Sequence, residues 1–164
     1  MKQPTAYDNA IDLLDADHKA VKEMFIDYSE MCEDDAPAAD KRAVAQRVCN
    51  ALIVHAQIEE EIFYPQVRKA IGDDVLMDEA LKEHAEAKKI IQQIQGMKAN
   101  DAAMDDAVKQ LGKLIDMHVQ EEREQIFLKA SYAALDLRGM VDPLLKRKSQ
   151  LTKKSTATPV KESA

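Results

Sequence analysis

The chain has 164 residues, of which 46% are hydrophobic, 32% charged and 4% aromatic, with no tryptophan and a net charge of −7. That length suits one domain with a sizeable core, and no apolar run approaches the roughly 20 residues needed to span a bilayer. The charge is uneven: residues 146–164 carry six basic side chains against Glu162, a net +5, which leaves −12 on residues 1–145 and argues against a nucleic-acid partner.

Few glycines and prolines among many Ala, Leu, Glu, Lys and Met predict helices throughout. The first helix is expected from Thr5, whose hydroxyl can cap it with Asp8 three residues on, to about Met31. Its apolar register runs Ile11, Leu14, Val21, Phe25 and Tyr28, and His18 falls within it. Asp35 and Pro37 read as the cap and first-turn proline of a second helix reaching Ile71, with a kink rather than a stop at Pro65. Its inward stripe is Val44, Val48, Leu52, His55, Glu59 and Ile62.

Gly72 ends that helix, and Asp73 or Asp74 caps the third, whose stripe is Met77, Leu81, His84, Ile91 and Ile94. A fourth helix starts at Asp101 and runs to about Ala134 through Val108, Leu111, Leu114 or Ile115, His118, Glu122 and Ile126. Leu135 to Gln150 reads as a shorter fifth helix, bent or started near Pro143. The Ser/Thr/Lys-rich segment from Leu151 reads as a disordered basic tail, a solvated terminus in preference to a site for an acidic protein partner. The predicted fold is all-α: an antiparallel up-down four-helix bundle in residues 1–150, followed by the tail at 151–164.

All four histidines of the chain occupy the apolar stripes of four different helices, and two are followed at i+4 by a glutamate on the same face. The two segments also resemble each other, His55-Ala-Gln-Ile-Glu59-Glu-Glu61 against His118-Val-Gln-Glu-Glu122-Arg-Glu124, with an Ile-Phe pair after each. Four separate core imidazoles would need four sets of partners, whereas one metal site on the bundle axis satisfies them together. Imidazole and carboxylate suit iron, manganese or zinc, and the absence of paired thiolates argues against an iron–sulfur cluster.

The segments Asp15-Ala-Asp-His18-Lys, His55-x3-Glu59-Glu-Glu-Ile-Phe-Tyr-Pro65, Glu83-His84 and His118-x3-Glu122 together resemble the hemerythrin-like, HHE cation-binding family over about residues 8–130. The resemblance implies a four-helix bundle around two non-haem iron ions. Glu59 and Glu122 would bridge them, with His18, His55, His84 and His118 as terminal ligands. Ferritin-like bundles use Glu-x-x-His instead, and that motif is absent here.

Hemerythrins that carry oxygen have a fifth histidine one turn from another on the third helix, where this chain has Ala80 and Lys88. Against two six-coordinate irons, the implied ligands and one bridging oxygen leave about two positions for water, an exogenous ligand or a carboxylate such as Glu83, Glu60 or Glu121. The expected function is therefore a di-iron protein that reacts with or senses oxygen, nitric oxide or peroxide, or handles iron, rather than an oxygen transporter; an enzyme of defined turnover is a third reading, for which no substrate pocket or added general acid is identified. The alternative is a helical interaction module with a structural zinc.

Other features have simpler readings. The methionines are core filling, Tyr28, Tyr64 and Tyr132 are packing residues, and Glu60, Glu61, Glu121 and Glu124 belong to solvated helix surface. Cys32 and Cys49 form no CxxC and follow no signal peptide, which predicts reduced thiols in a cytoplasmic protein.

Overall fold

The computed structural model describes residues 7–157, and side chains as far as Lys154. Every regular element among them is helical, and the order follows the apolar periodicity. Helix α1 covers Ala10–Glu33. Its cap is Asn9, whose Oδ1 accepts from the amide of Asp12 at 3.0 Å; the predicted cap at Thr5 lies outside the described residues. After α1 the chain turns through Asp35, whose φ of 51° is left-handed. Asp35 therefore shapes the turn instead of capping, and α2 (Ala38–Ile58) begins just after Pro37 with no side-chain cap.

From α2 the same rod continues through a π segment at Glu59–Phe63 into α3 (Tyr64–Ile71). The amide of Tyr64 reaches back five residues to the Glu59 carbonyl. The kink predicted at Pro65 thus takes the form of a widened turn ahead of it, which relieves the clash of the proline ring with the preceding turn. Gly72 closes α3 at φ 64°, a left-handed conformation that a side chain disfavours. Asp73 caps α4 (Asp74–Gly96), accepting from Leu76 N at 3.1 Å.

Helix α5 (Met104–Glu121) follows a turn in which Asp101 accepts from Ala103 N at 2.8 Å, so Asp101 stands ahead of the helix rather than starting it. A second π segment, Glu122–Phe127, joins α5 to α6 (Leu128–Tyr132). The last helix, α7, spans Val141–Ala157, six residues later than predicted at its start and seven beyond Gln150 at its end. Pro143 sits in its first turn, where a missing amide costs nothing. The segment Leu151–Ala157 is thus helical rather than disordered, because Leu151 is partly buried against the core; residues 158–164 lie outside the described ones.

Helix α1 packs on α2, α2 on α4, α4 on α5 and α5 back on α1, and α7 lies across α2, α1 and the first π segment. The buried apolar residues form two clusters. One gathers Leu13, Leu14, Ile58, Phe63, Met77 and Ile126 with Leu144 of α7; the other gathers Val21, Val48, Cys49, Ile91, Val108 and Leu111. Each fully buried aliphatic or aromatic side chain of this size stabilises the fold by about 1.5–3 kcal/mol. The histidine and glutamate layer lies between them along α1, where His18 falls between Leu14 and Val21.

Candidate metal centre

The six side chains singled out by their register meet in one place. His18 comes from the middle of α1, His55 from the last turn of α2, His84 from α4 and His118 from the last turn of α5, while Glu59 and Glu122 each open a π segment. They form two overlapping groups, His18, His55, Glu59 and Glu122 on one side and His84, His118, Glu59 and Glu122 on the other, with candidate ligand atoms all within 4.8 Å in each group.

The arrangement is nearly two-fold. His18 Nε2 lies 3.1 Å from His55 Nε2, and His84 Nε2 lies 3.2 Å from His118 Nε2. Within each pair the rings meet edge to face with centroids 4.8 Å apart. Glu59 Oε1 stands 3.0 Å from His55 Nε2 and 3.3 Å from His84 Nε2, so it touches both pairs. Glu122 sends Oε1 to His18 at 3.1 Å and Oε2 to His118 at 3.4 Å.

A cation fits this cage on two observations. Glu59 and Glu122 are 0% and 1% exposed, yet both oxygens of Glu59 and one of Glu122 have no hydrogen-bond partner. Buried carboxylates left so are expensive, and a cation between them removes the cost. The nitrogen spacings agree: two ligands about 2.1 Å from one ion at right angles stand about 3.0 Å apart.

The electrostatics point the same way. Burial opposes charge on His55, but Glu59 and Asp17 outweigh it and raise its pKa well above the usual value. His84 is raised to about 9, with Glu59 and Glu60 overcoming burial, and Glu122 raises His118 in the same sense. Glu122 is held well below the usual carboxylate range, because His118 and His18 outweigh its burial. The centre is a store of negative charge that protons occupy when no metal does.

Around this cage runs a set of carboxylates that sequence reasoning placed only in part. Asp17 Oδ2 accepts from His55 Nδ1 at 2.9 Å, Glu60 Oε2 from His84 Nδ1 at 3.0 Å and Glu83 Oε1 from His118 Nδ1 at 2.7 Å, while Asp15 Oδ1 stands 3.5 Å from His18 Nδ1. The three hydrogen bonds turn the Nε2 atoms of His55, His84 and His118 inward, the usual way a ligating imidazole is oriented, while His18 Nδ1 has Asp15 nearby but no hydrogen-bond partner. Three of the four brace across helices: Asp17 adjoins His18 but serves His55, Glu83 adjoins His84 but serves His118, and Glu60 adjoins Glu59 but serves His84. Glu60 and Glu83 therefore face the outer ring nitrogens, not the open positions for which they were candidates. The signal for Asp15 and Asp17 was Asp-Ala-Asp-His, but which helix each would serve depends on packing.

Tyr64 was expected to be a packing residue, yet its hydroxyl donates to Glu122 Oε2 and lies 3.3 Å from His84 Nε2. Its ring stacks on His84 with centroids 5.3 Å apart, as Phe127 stacks on His18 at 5.8 Å. Tyr64 and Phe127 each stand five residues past a cage glutamate, so the corresponding pair is Tyr64 with Phe127 and the Ile-Phe pairs are offset by one. The other tyrosines are elsewhere: Tyr28 donates to Asp105 at 2.6 Å, and Tyr132 is exposed.

A void of about 40 Å³ adjoins all four imidazoles, walled otherwise by Lys88 and by apolar side chains such as Leu52, Ile91 and Ile115. A groove of about 600 Å³ between α1 and α5, containing Lys19, Lys22 and Arg123, reaches His18 from outside. Among the described residues no helix is long and apolar enough to cross a membrane.

Comparison with known proteins agrees with this geometry. The fold is similar to the crystal structure of a hemerythrin HHE cation binding domain-containing protein from Mycobacterium kansasii, with a TM-score of 0.74, 18% identity and 90% of each chain covered. A DNA nickase of a Nostoc species is 29% identical over 119 residues, which are 73% of this chain and 32% of the nickase, so the chain spans about a third of that relative's length. The hemerythrin HHE cation binding domain model matches residues 9–130, and the chain belongs to that family.

Proposed function

We propose that the protein is a non-haem di-iron protein of hemerythrin type, an antiparallel up-down four-helix bundle with α7 as an added fifth helix. His18 and His55 would hold one iron, His84 and His118 the other, with Glu59 and Glu122 between them. The observation that carries this is the doubled group of ligand atoms sharing two buried carboxylates, three of whose four oxygens have no hydrogen-bond partner. Iron is favoured over manganese or zinc because a mixed imidazole and carboxylate set with spare positions suits it.

The ligand we propose is oxygen, nitric oxide or a peroxide. The void of about 40 Å³ beside the four imidazoles has room for such a molecule, since about 10–15 Å³ of such space suffices to hold one water. When bound, the irons would supply redox chemistry and a place for the small molecule. The chain's part is to hold three of the imidazoles by Asp17, Glu60 and Glu83, to present mostly apolar walls, and to hold a proton on Tyr64 Oη. Sensing, peroxide removal or iron handling fits this set better than reversible transport, for which the fifth histidine is missing. Free Cys32 and Cys49 support a cytoplasmic location. The net charge of −7 supports no nucleic-acid partner, and the nickase's activity is not carried over.

The test is metal analysis of protein reconstituted anaerobically with ferrous iron, together with Glu59→Gln. About two irons per chain are expected, with oxo-bridge absorption bands after oxidation. The variant should lose iron while the bundle still folds on its two apolar clusters. A bundle that melts outright without metal, or one filled by a single zinc, would establish the structural-metal alternative instead.

A further inference from the structure

The two halves of the cage match in their inner ligands but differ in what stands behind them. On the His18 and His55 side both outer carboxylates are engaged by cations. Arg123 Nε lies 3.3 Å from Asp15 Oδ1, and Lys148 Nζ of α7 lies 2.5 Å from Asp17 Oδ1. On the His84 and His118 side, no lysine or arginine among the described residues forms an ion pair with Glu60 or Glu83. Lys88 acts on Glu60 only at a distance, and Glu121 stands against Glu83, carboxyl to carboxyl. The stacked rings also differ, though neither carries a charge. Tyr64 brings a hydroxyl to the His84 side, where Phe127 brings none to the His18 side.

A cation is attracted by negative charge behind its ligands and repelled by positive charge there, and the attraction is stronger away from water. A carboxylate already paired with lysine or arginine is also a weaker acceptor for the imidazole N–H, so that imidazole is the poorer donor to a metal. Both effects favour the same half.

We infer that the two metal positions are unequal and fill in order. The His84 and His118 position takes the first divalent cation and holds it more tightly, and the cations Lys148 and Arg123 keep the His18 and His55 position weaker and exchangeable. Lys148 is thus a positioning residue that acts through Asp17 and His55, and it ties the affinity of one metal position to the docking of α7. The inference rests on the two-metal reading above.

Titrating metal-free protein with cobalt(II), followed by visible absorption and by competition with a chelator, tests it without reference to activity. Two equivalents should bind in two steps with affinities at least about ten-fold apart. Lys148→Met should tighten the second step several-fold and leave the first nearly unchanged. Glu83→Gln should loosen the first step by about 10–100-fold, the usual loss when an outer partner is removed. Arg123→Met, at a side chain 57% exposed, repeats the Lys148 experiment through Asp15 without disturbing α7. Two equivalents bound in a single step overturn the order but leave the two-metal reading intact. A looser second step in both cation variants also overturns it, because Lys148 and Arg123 would then only brace the carboxylates. Fewer than two equivalents overturn the two-metal reading itself.

Discussion

Raising the pH of the metal-free protein should destabilise it, and the size of the effect follows from the cage. His84 titrates at about 9 in the fold against a reference of 6.5, with Glu59 and Glu60 overcoming the cost of burial. A raised folded pKa means that the stabilisation is fully present below 6.5 and disappears as pH rises through 9. At about 1.4 kcal/mol per unit, that gap amounts to about 3 kcal/mol. The side chain of His84 is only 9% exposed, so solvent screening removes little of it. His55 and His118 shift in the same direction and add to the effect. Glu122 is shifted the other way; its contribution is in place above the ordinary carboxylate range and is lost only in acid. Urea unfolding followed by circular dichroism, with chelator present, should show a falling midpoint between about pH 6.5 and pH 9. The metal-loaded protein should show the opposite slope in the stabilisation that metal adds, because ligating imidazoles must be neutral. A metal-free midpoint that stays level or rises over that window would refute the account of the cage as a proton-filled store of negative charge.

Two further changes test other parts of the molecule. Tyr64→Phe removes the hydroxyl that donates to Glu122 Oε2, and should cost the metal-free protein about 1–3 kcal/mol in urea unfolding because a buried carboxylate loses its donor; an unchanged midpoint would mean that the contact contributes nothing. Leu144→Ala empties a fully buried position where α7 meets the core, and should cost about 2–5 kcal/mol, with faster proteolysis of α7 as the accompanying sign.

The helices and the six cage residues were legible because they share one signal, polar side chains in an apolar register. The π segments were not, since proline seemed to account for the first and the second contains none. Yet a clue was present: His55, Glu59, Phe63 and Val67 are all buried, as are His118, Glu122, Ile126 and Ala130. A strict spacing of four drifts around an α-helix by about 40° per step, and a wider turn takes up the drift. The apolar register predicts Ile62 on the inward stripe, whereas the widened turn buries Phe63. Asp17 and Lys148 were hidden for a different reason. They lie 131 positions apart, and only the docking of α7 brings them together.

The division of the apolar core into two clusters has a consequence for how the molecule comes apart. Along α1 it is a layer of imidazoles and carboxylates that separates them, and that layer's cohesion depends on what it holds. With a cation or with protons in place, the layer is a seam that joins two oily halves into one cooperative unit. With neither, it becomes a plane of mutually repelling carboxylates, and each half must melt on its own terms. The number of steps in a denaturation curve would then read out the occupancy of the cage, a measure of the centre taken from the whole fold.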